Sequence, residues 1–469
     1  MNTEIKERIY ITDPTQEIVD WCENNLVVRN PTYDTLKRMG KEDTIRYRHI
    51  PESLKLYSIR RGNTYILPFG CLKGIWKFIK NDNFSLAFNN NTPISIANQK
   101  ATIEYYDYQE QAIDNMVKEK GGVLVSPAGS GKTYMGTEII RRIGKKTLWL
   151  CHTSDLLKQA EHDMKTLYPN IQIGLTTKGQ LQIGEDVTIS TIQTMVQIDP
   201  ALYENEFDVV ICDECAHVAG SATQIKMFQK VVERIPARYK YGLTATPMRS
   251  DGLEKTMYAI IGMSPKGEFE YTYKVDKEKV KTIVAEHRRV DIKLNYSIQD
   301  LANMLDNSGM IVYHQLIAFL AQNKQRNDII IENIIKCVGE GRKQVVLCNT
   351  VEHCENLVEE LKTKGIAVEL CIGKTSSKRR EQILTQKIHW DVLVATYSLL
   401  KEGVSIKELD TLHLTTPIKD KAMVIQCAGR IERYKENKKQ PIVYDYVDVE
   451  IPYCERAFSK RKSALKRRV

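Results

Sequence analysis

Four side chains suffice for phosphoryl chemistry: a lysine to neutralise phosphate, a hydroxyl and a carboxylate for a hard metal ion, and a second carboxylate to activate water. Residues 126–133, "SPAGSGKT", and 209–214, "VVICDE", supply that set. In the first stretch Gly129 and Gly131 let backbone N–H groups, with that of Ser130, wrap a polyphosphate. Lys132 neutralises its charge, and the Thr133 hydroxyl can ligate Mg²⁺. The strict pattern starts with glycine, whereas Ser126 stands there; the turn glycines and the lysine are intact. In the second stretch Asp213 is expected to hold Mg²⁺ and Glu214 to orient or deprotonate the attacking water.

The continuation "VVICDECAHV" admits a rival reading, because Cys212, Cys215 and His217 have spacings that could hold zinc. A zinc site needs a fourth ligand nearby, and the closest candidates lie far off in sequence. Cys212 also falls in an apolar run, the usual place for an inert thiol. The acid pair is the preferred reading.

The elements that must position these groups are visible as short apolar runs alternating with amphipathic stretches. Candidate strands fall at 121–126, 147–151, 187–191, 209–213 and 241–246, and the same grammar restarts at 344–350, 367–373, 391–396, 410–416 and 441–448. Continuous apolar runs between helices predict parallel sheets covered on both faces, with ligands at the carboxyl ends of the strands. Residues 1–100 read differently, mixing short apolar stretches with Gly and Pro and ending in the Asn-rich "NDNFSLAFNNNTP". The expected organisation is a small α+β module over 1–100, a first parallel-sheet domain over 101–262, a second over 263–452, and a basic tail over 453–469. The stretch "GEFEYTYKV" is expected to add strands to the second domain.

Composition narrows the class. The 469 residues are 42% hydrophobic and 27% charged, as in globular proteins. No run approaches the roughly 18 apolar residues of a membrane span, and the start lacks an apolar core behind a basic tip, so no secretory leader is expected. Eleven cysteines without framework spacing point to a reducing, cytoplasmic setting. The net charge of +9 is uneven: the last fifteen residues carry seven Lys or Arg against one Glu. Such a run is either a solvated tail or a contact to a phosphate backbone.

Taken in order, these and further segments resemble the motifs of superfamily-2 helicases over residues 105–450. "YYDYQEQAID" resembles the adenine-recognising segment, with Gln109 at its glutamine. "SPAGSGKT" resembles motif I, "LWLCHTSDLLKQ" Ia, "ISTIQTM" Ib, "DECAH" II and "GLTATP" III. "VVLCNTVEHCENL" resembles motif IV, "VLVATYSLLKEGVSI" V and "QCAGRIER" VI. The resemblance implies two tandem RecA-like motor domains and ATP hydrolysis with Mg²⁺. It gives Gln426, Arg430 and Arg433 roles at the γ-phosphate, the arginines at i and i+3 on one helical face. It gives Gly403 a nucleotide contact, Thr191, Thr350 and Thr396 phosphate contacts along a nucleic-acid strand, and Thr244 and Thr246 the coupling between ATP state and grip. The bland alternative for the three strand-end threonines is helix capping.

Two departures stand out. Many relatives have His where Ala216 stands, with His217 one residue late, and Ser405 replaces an acid in motif V. "GLTATPMRSDG" and "QCAGRIERYKENKKQPIVYDYVD" look most like the DNA-directed branch containing repair translocases and phage branch-migration helicases. That implies a cytoplasmic enzyme, of a bacterium or an infected bacterial cell, acting on forked or branched DNA with 3′→5′ polarity. Arg60, Arg61, Lys73 and Lys77 are then the expected duplex contacts of the N-terminal module. RNA remodelling and a restriction-type duplex translocase subunit are the alternatives.

Overall fold

The computed structural model describes all residues except 45–46, 178, 219–226, 228, 248–252, 307–308, 398–405 and 467–469, and the side chains of 217, 218, 298, 377 and 422. It comprises two compact units, Met1–Val280 and Lys281–Val469.

The first unit opens with strands β1 (Asn2–Ile5), β2 (Arg8–Thr12), β3 (Val27–Arg29), β4 (Ser53–Lys55), β5 (Ser58–Arg60), β6 (Thr64–Pro68) and β7 (Asn83–Leu86). Five of them form a sheet in the order β5-β6-β2-β1-β7, and β3 and β4 make a separate ribbon. Helix Leu72–Ile79 packs beside them, so residues 1–100 are α+β as read.

The motor sheet follows, from β8 (Gly121–Val125), β9 (Thr147–Cys151), β10 (Ile173–Thr176), β11 (Val187–Thr191), β12 (Val209–Asp213), β13 (Tyr239–Thr244) and β14 (Tyr273–Lys274). Its order is β10-β11-β9-β12-β13-β8-β14, and every pairing is parallel. The apolar runs that predicted strands are buried on both faces, as helices on either side of a parallel sheet require.

The N-terminal module is not a separate globule. Ile5, Ile9, Leu67 and Ile75 share one core cluster with Val123, Leu148 and Val210 of the motor sheet and with Met257 of the helix Glu254–Ile261. Charged groups join the layers as well: fully buried Lys240 donates to the carbonyls of Glu7 and Val232, and Arg8 pairs with buried Glu233.

The second unit contains β15 (Glu286–Ile292), β16 (Gln344–Cys348), β17 (Val368–Cys371), β18 (Val392–Thr396), β19 (Thr411–Leu414) and β20 (Ile442–Asp448). The order is β15-β20-β19-β16-β18-β17, again wholly parallel.

Two expectations are corrected here. The extended stretch after residue 262 does not join the second sheet; Tyr273–Lys274 pairs with β8 of the first. Thr272 seats against Gly122, where an added Cβ would lie 1.8 Å from the Thr272 hydroxyl, so a glycine opens the slot for that strand. The basic tail is instead the helix Pro452–Lys466. Cys454, Ala457, Phe458, Arg461 and Leu465 recur every three or four residues and are buried, an amphipathic stripe that a count of charges conceals.

Candidate nucleotide site

The phosphate loop leaves the carboxyl end of β8 and turns through Gly129 and Gly131, both left-handed with φ of 81° and 84°, into helix Lys132–Ile143. Glycine adopts this backbone without strain, whereas a residue with a Cβ would be strained at either turn. A Cβ on Gly131 would also sit 2.6 Å from the Gln109 amide nitrogen. The turn is therefore shaped to leave room and N–H groups for an anion at a helix start.

Ser126 is no defect in this loop. Its hydroxyl donates to that of Ser130 at 2.5 Å, its N–H to the Thr244 carbonyl at 2.9 Å, and it is fully buried. The Ser130 carbonyl accepts in turn from the Gln109 amide at 2.9 Å and from the Tyr108 hydroxyl at 3.1 Å. The other end of the Gln109 amide accepts from the Tyr106 N–H at 3.0 Å. Gln109, expected to read adenine, thus couples helix Asp107–Glu119 to the loop in this structure. Tyr108 escaped the sequence reading; its signal was an aromatic hydroxyl beside a glutamine one turn into a helix.

The acid pair arrives on β12. Strand β13 lies between β12 and β8, with Asp213 opposite Leu243 and Leu243 opposite Leu124, so all three chains end at one edge. There the Lys132 ammonium lies 3.5 Å from a Glu214 carboxylate oxygen. Glu214 is held at φ 47°, a left-handed conformation that costs a non-glycine residue about 1–3 kcal/mol. Its N–H donates to the Asp213 carboxylate at 3.0 Å, which helps fix the turn. Asp213 is buried, and burial followed by the neighbouring Glu214 charge pushes its carboxyl up to about 7.

The Asp213 and Glu214 carboxylates and the hydroxyl of Thr133, the residue after Lys132 in the helix, are hard oxygen donors, the set Mg²⁺ prefers. A divalent cation would offset both the burial and the Glu214 charge that raise Asp213, so the donor set fits the ion. Zinc chemistry does not fit the cysteines. Burial pushes the Cys212 and Cys215 thiols up, away from the thiolate that zinc requires. Cys215 is a core residue, its sulfur 2.8 Å from where a Cβ on Gly242 would stand.

Thr244 closes the next turn: its hydroxyl accepts from the Thr246 N–H and donates to the Thr246 carbonyl, both at 3.2 Å. The structure therefore brings Gln109, Ser130, Gly131, Lys132, Asp213, Glu214, Thr244 and Thr246 to one end of the first motor sheet. Ala216 is buried within the short helix Cys215–Val218; the His217 side chain lies outside the described residues.

Other expected residues distribute as follows. Thr191 and Thr350 are helix N-caps, accepting from the N–H groups of Thr194 at 3.2 Å and His353 at 3.3 Å. The capping alternative is thus realised, although it uses an acceptor lone pair and leaves the Thr350 hydroxyl without an acceptor among the described residues. Thr396 ends β18 beside Cys348 of β16, so Thr350 and Thr396 sit at neighbouring strand ends of the second unit. Gln426 is buried and Arg430 half-buried on helix Lys421–Ile431. Arg433 corrects the helical-face expectation: it lies beyond the helix end, in an isolated antiparallel bridge with Thr282, and its carbonyl accepts from Lys438. The N–H of buried Glu432 still donates to the Ala428 carbonyl, while its side chain accepts from the Ala285 N–H at 3.2 Å and its carbonyl from the Ile283 N–H at 3.0 Å. Gly403 and Ser405 lie outside the described residues.

In the N-terminal sheet Arg60 and Arg61 sit at the β5–β6 turn, both exposed, with the Arg60 guanidinium 5.7 Å from the Tyr10 ring centroid. Lys73 is instead engaged by Glu119 at 2.6 Å, and Lys77 lies over the Phe78 ring. Their helix adjoins β7, the opposite sheet edge from β5, about 19 Å away at the usual strand spacing. The four expected duplex contacts therefore form two groups.

Residues 102–249 match the family model described as type III restriction enzyme, res subunit, and residues 325–435 match the helicase conserved C-terminal domain. The mimivirus protein L396 of Acanthamoeba polyphaga mimivirus, named as an ATP-dependent RNA helicase, is 25% identical, covering 82% of this chain and 76% of that protein. The DNA 3′-5′ translocase XPB2 of Sulfurisphaera tokodaii is 25% identical over 72% of this chain and 81% of its own. Among solved structures, S. cerevisiae Dbp5 bound to RNA and ADP BeF3 aligns with a TM-score of 0.55 at 14% identity, over 85% of this chain and 92% of that one. That likeness concerns the fold, two RecA-like parallel-sheet domains.

Proposed function

The chain is a superfamily-2 helicase that hydrolyses ATP and acts on nucleic acid, and on that premise we propose that it is a DNA translocase that remodels forked or branched DNA, moving 3′→5′. The observation that carries the ATPase half is the Lys132–Glu214 contact at the shared edge of β8, β13 and β12. The name of the XPB2 relative supports DNA and the polarity.

ATP is the substrate. The amides of the Gly129–Gly131 turn and the Lys132 ammonium bind its phosphates. As Lys132 turns to phosphate it releases Glu214, whose carboxylate then orients or deprotonates the attacking water. Thr133 and Asp213 would hold Mg²⁺, which when bound neutralises phosphate charge. Arg430 and Arg433, with Gln426, are assigned to the γ-phosphate on the family pattern; Gly403 is assigned to the nucleotide on the same basis. Thr244 and Thr246 are assigned to coupling, because their turn joins β13 to the loop through the Ser126 N–H. Thr191, Thr350 and Thr396 are assigned to backbone phosphates, and Arg60 and Arg61 to duplex.

The deciding experiment measures ATPase stimulation and strand displacement on single-stranded DNA, forks, four-way junctions and RNA of matched length. The proposal expects forks and junctions to stimulate most, with unwinding blocked from a 5′ tail. Preferential stimulation by RNA would instead support remodelling of RNA, in line with the name of L396. Translocation on intact duplex without strand separation would favour the restriction-type reading.

A further inference from the structure

A pocket of about 230 Å³ opens on the first unit away from the nucleotide site. Gly121 and Gly122 line it at the amino end of β8, whereas the phosphate loop leaves the carboxyl end, about 13 Å along the strand. Phe69, Trp76, Phe84 and Leu86 of the N-terminal module and Ile261 and Met263 of the motor form its apolar wall. Trp76 and Phe84 meet edge to face with ring centroids 5.5 Å apart.

Three features mark this as a surface built to be covered. Trp76, Phe84 and Leu86 are 41%, 39% and 54% exposed, a contiguous apolar patch rather than scattered side chains. Strand β7 is the last of its sheet, all four of its residues are exposed, and its outer side pairs with no strand among the described residues. It carries neither Lys nor Pro, the residues that usually blunt a bare edge. The rim is also one-sided in charge. Lys73, Lys120 and Arg238 line it against Glu119, and Glu119 is already taken by Lys73 at 2.6 Å. Lys120 and Arg238 are exposed.

The geometry points to a docking site for an extended, acidic segment of a partner protein. The segment adds as a strand to the outer edge of β7, seats alternate apolar side chains in the pocket and sets carboxylates against Lys120 and Arg238. Main-chain pairing along β7 provides affinity, the aromatic pocket fixes the register, and the two cations select the sign of the partner. A nucleic-acid strand is the poorer occupant. A base inserted against Phe69, Trp76 and Met263 would bury its polar edge on apolar side chains, and each unpaired donor or acceptor opposes binding. This site does not depend on which nucleic acid the motor uses.

The test is to pan a displayed library of random peptides of about ten residues on the full chain, with counter-selection on Leu86→Lys. Sequences alternating Asp or Glu with Phe, Leu or Ile are expected to be enriched. One such peptide, synthesised with a fluorescent label, should show saturable anisotropy that weakens about ten-fold or more on Leu86→Lys and on Arg238→Glu. The same loss is expected when alternate backbone N–H groups of the peptide are methylated. Both positions are exposed and outside the motor machinery, so nucleic-acid-stimulated ATPase should match the parent, which separates lost docking from misfolding. Enrichment of basic sequences, no enrichment, or binding indifferent to both substitutions overturns the proposal. So does displacement of the peptide by a single-stranded oligonucleotide, which would return the pocket to nucleic acid.

Discussion

Lys132 and Glu214 hold each other in this structure, and that contact makes their separate contributions measurable. Lys132→Ala removes the cation that binds phosphate, and steady-state ATPase is expected to fall about 10²–10³-fold. Glu214→Gln keeps the shape but not the base; hydrolysis should fall about 10²–10⁴-fold while nucleotide binding, followed by a fluorescent ATP analogue, persists. Persistent turnover in the lysine variant would remove the loop from the mechanism. The neighbouring residues explain why the acid pair tolerates no cysteine chemistry: burial keeps both thiols protonated. Ala216 is likewise a core residue, so a side chain as large as histidine there would have to displace its packing.

Strand β13 has a constraint of its own, because it separates the two strands that carry the site. Gly242 faces Cys215, and an added Cβ would stand 2.8 Å from its sulfur and 2.9 Å from the Ile261 side chain. Gly242→Ala is expected to cost about 1–3 kcal/mol of stability and to lower ATPase by shifting the turn at Glu214. Adding Cys215→Ala should recover most of both, as read by urea unfolding and turnover; no recovery would break the link between that strand and the acid pair. In the second unit β19 holds His413, fully buried, with its Nε2–H donating to the Gln344 amide oxygen and its Nδ1 accepting from Tyr446, each at 2.9 Å. Burial pushes its pKa down to about 3. The folded state therefore keeps the ring neutral while the unfolded chain binds a proton below about 6.5. Stability is full above that value and falls as the pH drops toward 3, by up to about 1.4 kcal/mol per pH unit. Unfolding midpoints of the parent and His413→Gln, measured across this range, should diverge in slope; parallel curves would contradict the assignment.

At the scale of the whole molecule, both ends of the chain are structural parts of the motor. The first module shares a core with the first sheet, and the basic C-terminal segment is a helix whose Arg461 is buried against Asp445, with nitrogen–oxygen distances of 2.6–3.0 Å. Arg461→Ala strands that carboxylate, leaving the His287 ring 3.0 Å from it in place of the guanidinium, and should cost about 3–5 kcal/mol in the second unit. Urea unfolding of the variant tests this, and an unchanged midpoint would restore the solvated tail. Deleting residues 455–469 accordingly reads folding before it reads nucleic-acid affinity.

What the sequence determined by itself is the set of features whose geometry is local. The phosphate loop, the acid pair and ten parallel strands are each written in a few consecutive residues, where spacing along the chain dictates which groups share a turn or a strand end. Other features depend on neighbours far away in the chain. Tyr273–Lys274 joined the first sheet because Gly122 leaves a slot for Thr272. Arg433 left its helix for a bridge to Thr282, and Lys240 buried its charge against the carbonyl of Glu7. Tertiary structure decided these because charge, strand propensity and helical period are the same for a residue in solvent and in a core. Only packing chooses which of them is buried, and against what.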